Sequence, residues 1–333
     1  MRIVLVGDVM LGRLVNRYLA SVPPEYPWGD TLPLLRSADA LIVNLECVIS
    51  DRGEPWPGKI FTFRSDLKNV AVLTAAGVTA VSLANNHSMD HGPEALGDCI
   101  AVLVRHGIWP AGAGSSIAAA RRPVNFRVGD TRVAYMAFTD NEPEWEADMR
   151  PGVHYVPLEP QDRRFGRLLV TIDEAKRANG MVIVSAHWGP NWGYAPLEEH
   201  ARAAHLFIDA GADIVCGHSP HVVRGIEIYR NRPILYSCGN FIDDYAVDEV
   251  ERNDESCVFC LDYEGEVLQQ ILLVPTMIEG FQATLARGVD RARIAKKTRT
   301  LCASLNTDAQ MIPEGLKILP SRAAPTHIQV ATA

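Results

Sequence analysis

The chain has 333 residues, 47% apolar and 22% charged, a composition that excludes disorder, collagen and coiled coil and suffices for one large or two smaller α/β units. Its 32 Lys and Arg against 40 Asp and Glu give a net charge of −8, so no global field draws nucleic acid or an anionic membrane. Any polyanionic substrate must therefore be met by a local basic patch.

Arg2 to Val6 and Ala40 to Val43 are apolar runs that end in polar residues, the pattern of strands buried on both faces of a sheet. The four apolar residues before Gly7 are too short for a signal-peptide core, and no segment approaches the roughly 18 apolar residues of a membrane span. This predicts a cytoplasmic chain with no membrane span. Val78 to Leu83 repeats the buried-strand pattern, and a helix is predicted to start at Gly92-Pro93 with a stripe of Leu96, Cys99, Ile100 and Leu103. Val124 to Arg127 and Arg132 to Phe138, joined through Gly129-Asp130, predict a hairpin. The Pro-rich stretch from Glu142 to Pro160 reads as a long surface loop. Met181 to Ala186 and Asp213 to Cys216 are again buried strands, separated by a helix opening at Pro196, with Leu197, Ala201, Ala204 and Ile208 on one face and Gly211 as its cap. Val222 to Tyr229, Pro233 to Ser237, Cys257 to Tyr263 and Val267 to Pro275 predict antiparallel or mixed strands. Two sheets covered by helices fit this order better than one doubly wound sheet. Residues 1–320 are expected to form a single unit, with a loose tail after Pro320.

The seven cysteines (Cys47, Cys99, Cys216, Cys238, Cys257, Cys260 and Cys302) are odd in number and scattered, so they read as reduced thiols. Cys257 and Cys260 fall within one predicted strand and have no second pair to complete a zinc site, which makes them packing residues. The chemistry lies elsewhere, where five segments place ligand-type residues after strands: Gly7-Asp8-Val9-Met10, Asn44-Leu45-Glu46, Asn85-Asn86-His87, His187-Trp188-Gly189 and Gly217-His218-Ser219-Pro220-His221. Strand ends of an open sheet are where ligands converge. Together these segments offer two carboxylates, amide oxygens and imidazoles, a donor set suited to Mn²⁺, Fe²⁺, Co²⁺ or Zn²⁺.

The motifs GDVMLGR, NLE, LANNHSMDHG, HWG, GADIVCGHSPH and ILYSCGNF, in this order, resemble the CapA-type branch of the calcineurin-like metallophosphatase superfamily, from Met1 to about Pro275. The resemblance implies a four-layer α-β-β-α sandwich, an α/β fold of two mixed sheets with a metal site along their C-terminal edges. It also implies that Asp8, Glu46, Asn86, His187, His218 and His221 hold one or two divalent ions (Mn, Fe or Zn). Met10 stands where the superfamily usually has a further histidine ligand. By the same resemblance His87 is the acid or base, and Asp90 can accept its other N–H and fix the tautomer.

Arg13 and Arg64 are candidate donors to a carboxylate or phosphate. Trp188, with Trp192 and Tyr194, is a candidate site wall, and Asn240 a substrate hydrogen-bonder or a support behind the site. The expected activity is metal-dependent hydrolysis of an amide, a γ-glutamyl peptide or a phosphoester. Metal-assisted epimerisation at a peptide Cα and a non-catalytic accessory role in poly-γ-glutamate synthesis are the alternatives. The expected partner is a peptide-like or phosphoester substrate, with no nucleic acid.

Overall fold

Two mixed sheets face each other in the computed structural model, which describes residues 1–320; the expected loose tail lies outside them. In the first, Arg2–Val9 is the central strand. Ala40–Leu45 lies parallel on one side, followed by Val78–Ser82 and Trp109–Ala111, and Glu255–Glu264 lies antiparallel on the other side, followed by Val267–Glu279. In the second, Met181–His187 runs parallel to both Thr131–Thr139 and Ile214–His218, and the hairpin strands Val124–Val128 and Ile226–Tyr229 close the two edges.

Strand periodicity of two explains the layers. Ile3 and Leu5 point between the sheets, where they meet Tyr135, Ile183, Ile214 and Phe259, while Val4 and Val6 point outward to a core shared with Leu73, Leu96 and Leu103. On the far side Phe138, Val184 and Val215 pack against Phe165, Leu168 and Phe207 of the helices Arg163–Ala178 and Glu198–Asp209. The order is therefore helix, sheet, sheet, helix, as expected. Cys257 faces the inter-sheet core and Cys260 the outer one, so the pair cannot converge, and all seven cysteines are buried free thiols.

Three expectations need correction. The helix after Pro196 begins at Glu198, and its buried face is His200, Ala203, Ala204, Phe207 and Ile208, so the apolar stripe was misphased and a buried histidine overlooked. Only Ile226–Tyr229 of the segment from Val222 is continuous strand; before it Val223 makes an isolated bridge to Cys238, and the buried Arg224 side chain donates to the carbonyls of Trp192 and Gly193. The Pro-rich stretch is no mere surface loop: it buries Trp145, Val153 and Val156. Among the described residues no helix is long and apolar enough to cross a membrane.

Candidate metal and acid/base site

Parallel strands of both sheets end side by side, and the residues at or just past those ends form the site. Asp8 lies in register with Asn44 and with Asn240. Gly7 makes this possible: a Cβ there would sit 2.0 Å from the Gly239 carbonyl oxygen, which instead accepts the Asp8 N–H at 2.9 Å. Asp8 Oδ1 accepts from Asn44 Nδ2 and His218 Nδ1, each at 2.9 Å, and its Oδ2 is buried with no partner. Glu46 follows the next strand, its Oε1 3.6 Å from His187 Nε2 and its Oε2 accepting from the Tyr245 hydroxyl at 3.3 Å. Asn85 ties down the loop after Val78–Ser82, donating to Asn44 Oδ1 and the Leu45 carbonyl and accepting from the His87 N–H. That leaves Asn86 Oδ1 buried and unpartnered.

His187 and His218 end neighbouring strands and are paired in register. His187 has no hydrogen bond at either ring nitrogen. His221 donates Nδ1–H to Asn240 Oδ1 at 2.9 Å, because the Asn240 amide nitrogen is committed to the Asn253 carbonyl, so Nε2 keeps its lone pair. Asp8, Glu46 and His221 each offer a ligand atom within 4.8 Å of the others.

Burial and mutual proximity shift the titrating groups of the cluster. Burial, reinforced by Asp8 and Asp243, pushes Glu46 well above the ordinary carboxylate range. Burial also raises Asp243 to about 7 and lowers His187 to about 3. At Asp8 burial is outweighed by the His218 hydrogen bond and the neighbouring imidazoles, which hold it low, and His218 correspondingly rises to about 9. The two carboxylates and the imidazole that Asp8, Glu46 and His221 bring together, with Asp8 Oδ2 unpartnered, fit a divalent cation of the Mn, Fe or Zn kind. Met10 offers nothing here: it is buried, and its sulfur accepts from the Gly12 N–H.

Beside this cluster, His87 Nδ1 lies 2.6 Å from Asp90 Oδ2, and the ring stacks on Phe63 with centroids 3.9 Å apart. Burial, partly offset by Asp90, holds His87 below the ordinary imidazole value. Asp90 also accepts from the Phe63 N–H and pairs with Lys59 Nζ at 2.8 Å. A cavity of about 630 Å³ opens over His87, Asn86 and His221, walled by Arg13, Lys59, Phe61, Trp192 and Tyr245 among others.

The substrate-side expectations divide. Arg13 lines the cavity with a φ of 50°, held by Asp244 at 3.3 Å and lying 5.8 Å from the ring centroids of both Phe61 and Phe63. Arg64 is turned away, donating to the carbonyls of Arg52 and Gly53. Trp188 is fully buried, stacked on His200 and donating to the Tyr236 carbonyl, because it points to the opposite face from its neighbour His187. Asn240 is buried behind His221, and Trp192, two-fifths exposed, supplies the aromatic wall. Lys59, Asp243 and Tyr245 were missed. Lys59 sits in an irregular Gly/Pro-rich segment with no motif, whereas Asp243-Asp244-Tyr245 directly follow the Gly-Asn-Phe motif and could have been flagged as its extension.

Residues 2–245 match the family described as "Bacterial capsule synthesis protein PGA_cap". A "Probable polyglutamine synthesis accessory protein" of Mycobacterium tuberculosis is 40% identical over 248 residues, 72% of this chain and 65% of the relative. The "PGA biosynthesis protein CapA" of Bacillus subtilis is 30% identical over 243 residues, 72% of this chain and 62% of that one. The match thus spans less than two thirds of the length of these relatives. Among solved structures, a "novel phosphatase" of Mycoplasma pneumoniae aligns with a TM-score of 0.51 at 13% identity, covering 89% of this chain and 96% of that one. A "Putative 5'-Nucleotidase" of Staphylococcus aureus aligns with a TM-score of 0.51 at 15% identity, covering 92% of this chain and 58% of that one. These two likenesses concern the fold.

Proposed function

Because this chain belongs to the bacterial capsule synthesis protein family, within the CapA-type branch of the metallophosphatase superfamily, we propose that it is a metal-dependent hydrolase acting on γ-glutamyl or related anionic peptide amides. The observation that carries this reading is a cavity lined by His87, Asn86 and His221, because His221 joins it to the buried donor cluster with Asp8 and Glu46, and His87 belongs to an oriented proton-transfer pair with Asp90. A bound divalent ion would supply Lewis acidity that polarises a carbonyl or phosphoryl oxygen.

The chain's own residues do the rest. Asp90 takes the Nδ1–H of His87 and so fixes the tautomer with Nε2 able to accept a proton and then deliver it to a leaving amine or alkoxide. Phe63 holds the ring plane, and Lys59 keeps the Asp90 carboxylate paired on its other oxygen. Arg13 and Lys59 give the cavity cationic walls in a chain of net negative charge, which favours a substrate bearing a carboxylate or phosphate. The names of the relatives favour the peptide over the phosphoester.

A non-catalytic accessory role is the second reading, supported by the name of the mycobacterial relative. One experiment separates them. Protein purified without chelator is assayed for bound metal, then incubated in D₂O with a poly-γ-glutamate oligomer and with a phosphomonoester. New amine termini support the hydrolase, and phosphate release alone moves the activity to phosphoesters. Deuterium at Cα without cleavage identifies an epimerase. Polymer binding with no turnover supports the accessory role.

A further inference from the structure

Beyond the matched family region lies the helix Gly288–Ser304, the most basic segment of this acidic chain. Arg287, Arg291, Arg293, Lys296, Lys297 and Arg299 fall within 13 residues that hold one acid, Asp290. These charges do not serve the helix itself. Cations stabilise the last turn of a helix, where this one has none, and are unfavourable toward its N-terminal end, where several of these lie. Three of them tie the helix to the fold, Arg287 through Asp30 and Arg293 and Lys297 through Glu255, which leaves Arg291, Lys296 and Arg299 without an ion pair among the described residues.

The exposed face forms a groove of about 460 Å³, lined by Arg293, Lys296, Lys297 and Thr300 with Leu301 and Tyr194. Arg293 is paired with Glu255 and Asp290, whereas Lys296 and Arg299 have no ion pair among the described residues. Lys297 Nζ lies 2.7 Å from the Tyr194 hydroxyl and 4.4 Å from the centroid of its ring.

Two connections join this groove to the metal cavity. Tyr194 stands two residues beyond Trp192, which walls that cavity. Asn253, also in the cavity wall, adjoins Arg252, and Arg252 shares Glu255 with Arg293. The groove and the cavity therefore adjoin, with Trp192 and Tyr194 between His87 and the helix. We propose that this groove is a second binding site, which holds the remainder of an anionic polypeptide with a carboxylate on each residue while one of its bonds lies in the metal cavity. The proposal rests on the reading of that cavity as a site for such a chain. A single-stranded nucleic acid is the less suitable occupant, because the one aromatic ring in the groove is already covered by Lys297 and cannot stack on a base.

The test uses the full chain and a fluorescently labelled poly-γ-glutamate oligomer, with binding followed by anisotropy. The double variant Lys296→Gln, Arg299→Gln removes two exposed charges that touch neither the cavity nor the core. It should bind the oligomer roughly tenfold more weakly at low salt, with the difference closing at high salt. Its metal content and its turnover of a γ-glutamyl dipeptide, too short to reach the helix, should be unchanged. Equal affinity in parent and variant overturns the groove, and so does displacement of the oligomer by an equal charge of single-stranded DNA at lower concentration. The two readings fail separately. Dipeptide cleavage with an indifferent double variant removes the groove and leaves the hydrolase, whereas weakened oligomer binding with no cleavage of any peptide removes the hydrolase and leaves the groove.

Discussion

The two ends of the parallel strands carry similar residues in opposite states. At their N-terminal ends Asp213 is buried and fully answered: Lys176 Nζ at 2.9 Å, Arg232 Nε at 3.1 Å and the Val182 N–H at 2.8 Å. Arg2 and Asp262 form a two-pronged pair at 2.7 and 3.0 Å, with Gln270 donating to the same carboxylate. At the C-terminal ends Asp8 Oδ2, Asn86 Oδ1 and both nitrogens of His187 are buried with nothing to bind. A buried polar group without a partner costs free energy that folding alone has no reason to leave uncollected. One end is built to hold the chain together, and the other to hold something else.

The sharpest way to break this contrast is at Asp8. Asp8→Asn should abolish metal binding and lower turnover by more than about 10³-fold, and should also lower the unfolding free energy without metal, since buried His218 loses the carboxylate charge that faces it. Metal analysis with chemical denaturation checks both halves, and retained stoichiometry would remove Asp8 from the ligand set. His87→Gln should keep the metal and cost roughly 10²–10⁴ in turnover. Asp90→Asn should cost less and move the acid limb of the pH–rate profile down, because losing the carboxylate lowers the imidazole further. Release of metal from His87→Gln would make His87 a ligand. At the other end, Asp213→Asn should leave metal and turnover untouched and cost about 2 kcal/mol of stability, since half-buried Lys176 and Arg232 lose their shared buried partner. Denaturant unfolding measures this, and a loss of metal instead would show that the two ends are coupled.

What the sequence made legible of the candidate site is its placement, since Asp8, Glu46, Asn86, His187 and His218 stand at or just past the ends of buried parallel strands, while their roles as ligands came with the family resemblance. Two sheets covered by helices were legible for a related reason, since strands buried on both faces require cover on both faces, and the four-layer order came with the family resemblance. What was not legible comes from irregular segments, where no period constrains the side chains. Lys59 reaches Asp90 from a loop without a motif, and Tyr245 reaches Glu46 from a turn. Trp188 misled for a different reason. Adjacent residues at a strand end face opposite sides, so the neighbour of a site histidine is a core residue.

The smallest effect separates two buried neutral histidines that look alike to any measure of burial. Burial lowers His187 to about 3 and His154 to about 4, but His154 Nδ1 is bonded to the Ala137 carbonyl at 2.9 Å, whereas His187 has no partner. By the comparison above, His154 belongs with the self-satisfied part of the molecule and should affect stability alone. Its folded pKa lies below the unfolded value of about 6.5, so the unfolded chain takes up the proton first as pH falls. Stability is therefore intact above pH 6.5 and declines as pH falls toward 4, with a contribution from this one residue of about 1.4 kcal/mol between pH 7.5 and 5.5. Denaturant unfolding at both pH values should show that loss shrinking by about this amount in His154→Gln, with the same metal content as the parent. An unchanged pH dependence would mean that His154 titrates alike in the folded and unfolded chains, and a loss of metal would place it on the wrong side of the comparison.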